Sequence, residues 1–487
     1  MRVARDDLLA TLPPEWPADL FPTIQARVRQ SGVRVAVLDD DPTGTQTVHG
    51  VPVLTEWSTG SLAQVLAEPE PVFYILTNSR SMPAAQARTL NLDIARHLLA
   101  ASRATGRRFV VVSRSDSTLR GHYPHEIEAL AEGLGQPCDG TLIVPFFLEG
   151  GRYTINDIHY VAEGDWLVPA AESEFARDAT FGYQSSNLRQ WVSEKHGGRI
   201  SAEEVAAVSL DDLRRGGPAA VAARLAGLRQ GQVCVVNAAS YRDLEVLVAG
   251  LLEAEAAGRR LIYRTAASFV RVRGAVTPRG PLTATDLAVA PCARGGLIVV
   301  GSYVQRTSDQ LAAARALPGM VSVEAAVERL LRPAQRRAEV RRVAAMADHA
   351  LAAGHDVAVY TSRRLVTGRD RQASLGIGQT ISRALVAVVE SLQAPPAWLI
   401  AKGGITSSDV ATEGLGVRRA EVLGQAIPGV PIWRTGPESR WPGLVYVVFP
   451  GNVGGPQALA EMVGILRQAV PGAHGQSDPS PLAPGRG

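Results

Sequence analysis

Short apolar runs of four or five residues recur along the chain, and each breaks off abruptly into polar residues. The first is Val35-Ala36-Val37-Leu38, followed by Asp39-Asp40-Asp41-Pro42-Thr43-Gly44. Val51–Leu54 and Val72–Leu76 come next, the latter running into Thr77-Asn78-Ser79-Arg80-Ser81. Pro83 then opens a stretch through Leu99 whose Ala, Leu and Ile fall three and four apart, which predicts a helix. Phe109–Val112, Thr141–Val144, Val205–Val208, Val233–Val236 and Leu261–Tyr263 continue the series. Runs without polar alternation predict strands buried on both faces, and their alternation with helical stretches predicts an α/β protein with mainly parallel sheets.

The pattern lapses between Gly274 and Gly296, where proline and paired glycines accumulate. It resumes with Leu297–Val300, Val357–Tyr360, Trp398–Ala401 and Val445–Val448. The expected organisation is an arm over 1–30, an α/β domain over 31–275, a linker over 276–296, a second α/β domain over 297–470 and a disordered tail over 471–487. Glu149 to Phe181, Gly-rich and weakly periodic, is expected to be a functional loop or lid.

Composition changes this picture little. The 487 residues fit two or three domains at ~150 residues each. With 46% hydrophobic and 20% charged residues the chain has the make-up of a globular protein with a substantial core. A net charge of +3 implies no strong nucleic-acid or membrane field. Cys138, Cys234 and Cys292 show neither paired nor metal-ligand spacing. No secretory leader pattern and no apolar run near the roughly 20 residues of a membrane span is found, so a cytoplasmic location is expected.

Polar strand ends carry the candidate chemistry, because ligands of open α/β sheets bind outside the carboxyl ends of strands. In the first domain these are the Asp39–Asp41 turn, Arg80, and the cluster of Arg114, Ser115, Asp116, Ser117 and Arg120. Arginine grips a carboxylate in a fork, and aspartate accepts from hydroxyls and can take a proton, so this set suits a hydroxylated acid. In the second domain the strand ends are glycine turns: Gly301-Ser302, Lys402-Gly403-Gly404-Ile405-Thr406, and Gly451 with Gly454. Exposed backbone N–H groups at such turns favour phosphate. Neither a Walker A loop nor a Rossmann fingerprint occurs.

Taken with their order and spacing, several blocks resemble the four-carbon acid sugar kinase family over most of the chain. They are Asp40-Asp41-Pro42-Thr43-Gly44, Asp116-Ser117-Thr118-Leu119-Arg120-Gly121, Gly150-Gly151-Arg152-Tyr153-Thr154, Gly301-Ser302 with Thr307 and Gln310, and Gly403-Gly404-Ile405-Thr406. The resemblance implies an N-terminal acid-sugar-binding domain, a C-terminal ATP-binding domain and phosphoryl transfer in the cleft between them, with ATP and Mg2+ required. It places Asp40, Asp41, Arg80, Ser115, Asp116 and Ser117 on the acid sugar, and the strand-end cluster adds Arg114 and Arg120. It places Ser302, Gly403, Gly404, Ile405, Thr406 and Gly451 on the nucleotide, and the glycine-turn reading adds Lys402 and Gly454. Two positions depart from the family pattern. Ile405 stands where the family has an aspartate, and Phe449-Pro450 stands where it has Lys-Ser before the last glycine; Lys402 is the expected substitute for the missing lysine.

The expected reaction passes the γ-phosphoryl group of ATP to a hydroxyl of a short sugar acid, a tetronate, 3-oxo-tetronate or 3-oxo-isoapionate. Asp41 and Asp116 are the expected catalytic carboxylates, Asp40 being the third candidate for the base; the metal ligands stay open. The expected partners are the sugar acid and ATP, with a homodimer compatible and neither nucleic acid nor membrane. Two rivals remain. Asp39-x-Asp41-x-Thr43 formally matches the first motif of haloacid-dehalogenase-type phosphatases, although Asp211-Asp212 begins a predicted helix rather than ending a strand. A non-catalytic sensor of sugar acid and nucleotide would also accommodate Ile405 and Phe449.

Overall fold

The computed structural model describes residues 2–471, apart from 136, 364, 365, 367, 368 and 370. The tail expected to be disordered therefore falls, from 472 on, outside the described residues. The chain divides into two compact units, one reaching Arg279 and including Arg418–Gly424, the other formed by Gly280–Val417 and the residues from Gln425. One of the three places where the chain passes between them, after Arg279, lies within 276–296, and the other two flank Arg418–Gly424.

In the first unit the apolar runs become a parallel sheet. Its spatial order is Ala206–Val208, Gln232–Val236, Gly140–Val144, Leu261–Thr265, Phe109–Arg114, Arg34–Asp39, Val72–Leu76 and Val51–Leu54. Every residue of Arg34–Asp39 is buried, as a central strand covered on both faces requires. From that strand the chain builds first to one side (51–54, 72–76) and then to the other (109–114). The topological switch point therefore lies at the carboxyl end of Arg34–Asp39, where a ligand crevice is expected. Helices such as Ala84–Thr105 cover the sheet; this one turns its Ile94, Ala95 and Leu98 inward and stops at Gly106 in the left-handed conformation.

Two features correct the sequence expectation. The 149–181 stretch is not a loose lid. It forms an antiparallel sheet of Arg152–Ile155, Ile158–Glu163 and Trp166–Pro169, with Val3–Ala4 on its edge. Asn156 and Asp157, with φ of 53° and 62°, make the two-residue turn that closes its first hairpin. The other feature is Arg419–Val422, which pairs antiparallel with Val51–Leu54 and so belongs to the first unit rather than to a continuous 297–470 domain. Arg419 Nη2 also donates to Glu68 Oε2 at 2.7 Å.

The second unit repeats the design. Met320–Ala325, Asp356–Thr361, Leu297–Val300, Leu399–Lys402 and Val445–Phe449 run parallel in that order, and Val430–Thr435 adds an antiparallel strand beside the last. Its order reverses beside Leu297–Val300, so the second switch point faces Gly301-Ser302 and the turn after Lys402. Among the described residues no helix is long and apolar enough to cross a membrane.

Candidate active site

Asp39 ends its strand with a buried carboxylate. Oδ1 accepts from Arg114 Nη1 at 2.9 Å and from the Asp41 N–H at 3.3 Å. A Cβ on Gly44 would stand 1.9 Å from Oδ2, so only glycine lets the turn close over this group. Burial outweighs Arg114 and pushes the Asp39 carboxyl up to about 7. A carboxylate closed in this way is not available as a nucleophile, which removes the phosphatase reading's first requirement. Asp211 and Asp212 lie in the first turn of helix Leu210–Arg214, where Asp212 completes a capping box with Ser209.

Asp40 is gripped by Arg80 in a fork, Nε to Oδ2 at 3.1 Å and Nη2 to Oδ1 at 2.6 Å, with Arg114 Nη1 at 3.4 Å. Asp41 is freer, its side chain 24% exposed, with Oδ2 3.3 Å from Arg80 Nη1 and Oδ1 accepting from the Thr43 N–H at 2.9 Å. Burial opposes its ionisation, but Arg80 and Thr43 prevail and its pKa lies below the ordinary value. Arg80 is mounted on a 3₁₀ turn, Ser79–Ser81, after the left-handed Asn78, and the Ser79 carbonyl accepts from His122 Nε2 at 2.9 Å.

Asp116 lies on the next strand end, 12% exposed, accepting from Arg120 Nε at 2.7 Å and from the Thr118 hydroxyl. Burial again works against the charge, but Arg80 and Arg120 together hold this carboxyl well below the usual range. Leu119, buried and at φ 69°, is a strained non-glycine residue in the same loop. Ser115 is buried and donates to Glu126 Oε1 at 3.1 Å, whereas Ser117 is half-buried and offers its carbonyl to His159 Nε2 at 2.7 Å. Asp40, Asp41, Arg80, Arg114, Asp116 and Arg120 thus form one cluster at the switch point, and Ser115 faces inward behind it.

Four further residues complete this cluster and were not named from sequence as site residues. Arg264 is buried against Trp191 and Tyr123; its Nε donates to Glu126 Oε1 at 3.0 Å and its Nη2 to the Arg120 carbonyl at 3.1 Å. His159 holds the Ser117 carbonyl. Arg152 lies over the Phe175 ring, which Arg120 also covers. Glu126, Arg264 and His159 come from elements far apart in the chain, and no local motif marks them. Arg152 does stand in a recognisable block, Gly150-Gly151-Arg152.

In the second unit Ser302, Gly403, Thr406 and Gly451 converge. Gly403 adopts φ 117°, and a Cβ there would come within 3.1 Å of Ser302 Cβ. Thr307 Oγ1 donates to the Gly451 carbonyl at 2.8 Å and lies 3.2 Å from Ser302 Oγ. Gln310 Nε2 ties the Gly454 turn down by donating to the carbonyls of Val453 and Gly455, both at 2.9 Å. Arg363 Nη1 donates to the Ser302 carbonyl at 2.8 Å, and Arg306 Nη1 to that of Asn452 at 2.6 Å. Gly404 opens the helix Gly404–Asp409, and Ile405 beside it is 62% exposed.

Lys402 departs from the expected phosphate contact. Its side chain is fully buried, its Nζ donates to the Pro450 carbonyl, and the Phe449 ring lies 4.1 Å away. Burial, assisted by Arg306, pulls its pKa down to about 7. The lysine ties two glycine turns together from below. Among the described residues no three His, Cys, Asp or Glu side chains are grouped to hold a metal ion.

Two family models match the chain, a sugar-binding N-terminal domain over 35–273 and a nucleotide-binding C-terminal domain over 297–459. The sites described above fall one in each. A D-erythronate kinase of Heliobacterium modesticaldum is 26% identical over 322 residues, 63% of this chain and 66% of that protein. A 3-oxo-tetronate kinase of Cupriavidus necator is 28% identical over 407 residues, 80% of this chain and 85% of that protein. Solved structures from Salmonella typhimurium LT2 (TM-score 0.64, 88% of this chain and 98% of that one) and of Haemophilus influenzae protein HI1011 (TM-score 0.60, 88% and 100%) share the fold at 19% identity. A sugar-binding unit joined to a nucleotide-binding unit is the architecture of an ATP-dependent phosphotransferase. The chain belongs to the four-carbon acid sugar kinase family.

Proposed function

We propose that the protein phosphorylates a hydroxyl of a four-carbon or similarly short sugar acid, such as a tetronate, a 3-oxo-tetronate or 3-oxo-isoapionate, at the expense of ATP. The observation that carries this reading is the division of labour between two strand-end sites. One holds carboxylates and arginines at the first switch point, and the other holds glycine turns and hydroxyls at the second. Phosphoryl transfer asks the protein mainly for alignment and charge stabilisation, with the acceptor oxygen roughly 3–3.5 Å from the phosphorus and in line. Asp41, the most exposed of the four clustered carboxylates, accepts the hydroxyl proton. Asp116, held ionised by Arg80 and Arg120, accepts from a neighbouring hydroxyl and orients the acid. Asp40 fixes Arg80. The Ser302 and Thr406 hydroxyls and the backbone at Gly403, Gly404, Gly451 and Gly454 cradle the phosphates, around which magnesium would neutralise charge.

The test is ADP release from ATP and Mg2+ with D-erythronate, D-threonate, 3-oxo-tetronate and 3-oxo-isoapionate as acceptors. Acid-dependent ADP formation is expected with at least one of them. Asp41→Asn should then lower kcat by about 10²- to 10⁴-fold while leaving ATP binding intact. Wild-type turnover in that variant would remove Asp41 from its role, and binding of acid and nucleotide without ADP would favour the sensor reading.

A further inference from the structure

Five arginines surround the carboxylates of the N-terminal site, and four are already neutralised. Arg80 lies 2.6 Å from Asp40, Arg114 2.9 Å from Asp39, Arg120 2.7 Å from Asp116 and Arg264 3.0 Å from Glu126. Forks committed to internal carboxylates have few donors left for a ligand. Among the described residues Arg152 alone of the five has no carboxylate within 4 Å.

The surroundings of Arg152 leave it short of an anion. Its Nη1 donates to the Gly150 carbonyl, and its Nε is buried without a partner. The guanidinium stacks on the Phe175 ring at 5.5 Å, and that of Arg120 covers the same ring at 5.1 Å. Over that ring Arg120 is already paired with Asp116, so the unmet charge is that of Arg152. Burial lowers the pKa of Arg152 and Arg120 adds to the effect, while Asp116 opposes it. The mounting is rigid. The Arg152 N–H donates to the Phe147 carbonyl at 2.8 Å, the Arg152 carbonyl accepts from Phe147 N–H at 3.1 Å, and the residue pairs with Val161 across the sheet.

We infer that Arg152, stacked on Phe175, binds the carboxylate of the sugar acid and thereby sets the preference for acids over neutral polyols. The inference rests on the sugar-acid kinase reading and adds the group that recognises the acid. A carboxylate seated on Arg152 lies beside Arg120, which shares the Phe175 ring, and the hydroxylated carbons then face Asp116, the partner of Arg120. The fork geometry of arginine suits a planar carboxylate, which a lysine's point charge matches poorly.

The test is calorimetric binding and steady-state turnover of the full chain with D-erythronate, D-threonate and 3-oxo-tetronate, and with erythritol as the neutral control. Arg152→Ala should weaken acid binding or raise its KM by about 10- to 100-fold, the loss expected on removing hydrogen bonds to a charged group. Arg152→Lys should recover only part of that loss, added guanidinium should rescue Arg152→Ala, and the KM for ATP should hold in both variants. The preference for acid over erythritol should collapse with the alanine variant. Unchanged acid affinity in a folded Arg152→Ala, shown by a wild-type melting curve and ATP KM, would overturn the inference and leave the kinase reading standing. Acid binding that depends on Arg152 without ADP formation would keep the inference and overturn the kinase reading. Absence of binding of all three acids, and of 3-oxo-isoapionate, to the wild-type protein would overturn both.

Discussion

Beneath the Phe449 ring, the Lys402 ammonium donates to the Pro450 carbonyl and is shielded from solvent. In the unfolded chain such a lysine ionises near 10.5, and here burial brings it to about 7. Between these values the unfolded state binds more protons than the folded one, so this residue makes stability rise with pH across that window. Lys402→Met removes the term. The stability advantage of the methionine variant over wild type should therefore be largest near about pH 7 and shrink toward about pH 10. Melting curves at several pH values read this directly, and a difference constant across the window would show that Lys402 keeps its proton when folded. At the same scale, the site was legible where chemistry concentrates at strand ends. Asp40, Asp41, Arg80, Arg114 and Asp116 stand out because polar residues directly after a buried run point to a crevice. What the sequence does not reveal is pairing: which arginines are already spent on internal carboxylates depends on strand order, as does the meeting of Ser115, Glu126 and Arg264.

The antiparallel strands of 152–169 and the segment after them hold the Asp116 loop by its backbone. His159 Nε2 donates to the Ser117 carbonyl at 2.7 Å and the Tyr183 hydroxyl to that of Thr118 at 2.9 Å. Burial lowers the His159 pKa to about 4, so the ring is neutral at ordinary pH. With Nε2 as donor, Nδ1 accepts from the Thr154 hydroxyl at 3.0 Å. Tyr183→Phe removes one of the two ties, with an expected cost of about 1 kcal/mol in stability. The KM for the acid should rise while that for ATP stays put; equal effects on both substrates would mean that the hydroxyl supports the fold at large. The elements themselves were legible to very different degrees. The central parallel strands read as continuous apolar runs because both of their faces are covered. Arg419–Ile427 and Met320–Ala325, with buried residues interspersed among exposed or half-buried ones, and the hairpins after Arg152 carry alternating or mixed patterns that a search for continuous runs passes over. The Asn156-Asp157 turn was the local signal that could have recovered the first hairpin.

At the scale of the whole molecule, the chain uses one topological device twice. In each unit a central strand is extended first on one side and then on the other, and the loops leaving it and its neighbour are forced apart at their carboxyl ends. The first unit fills that opening with ionised side chains, which suits an acid bearing hydroxyls. The second lines it with glycine and hydroxyl groups, which suits phosphates. If each opening takes its own ligand, each ligand should slow hydrogen exchange in its own unit. A ligand at 100 times its Kd stabilises the binding-competent state by about 2.7 kcal/mol, enough to slow amides that exchange only through opening of the site about 100-fold. A non-hydrolysable ATP analogue should protect 301–310, 402–409 and 450–455. D-erythronate, or whichever acid is turned over, should protect 39–47, 114–121 and 150–155. Protection of the acidic turn by nucleotide alone would reverse the assignment of the two openings. Protection of 150–155 by the acid in wild type but not in Arg152→Ala would tie the recognition of the carboxylate to that single guanidinium.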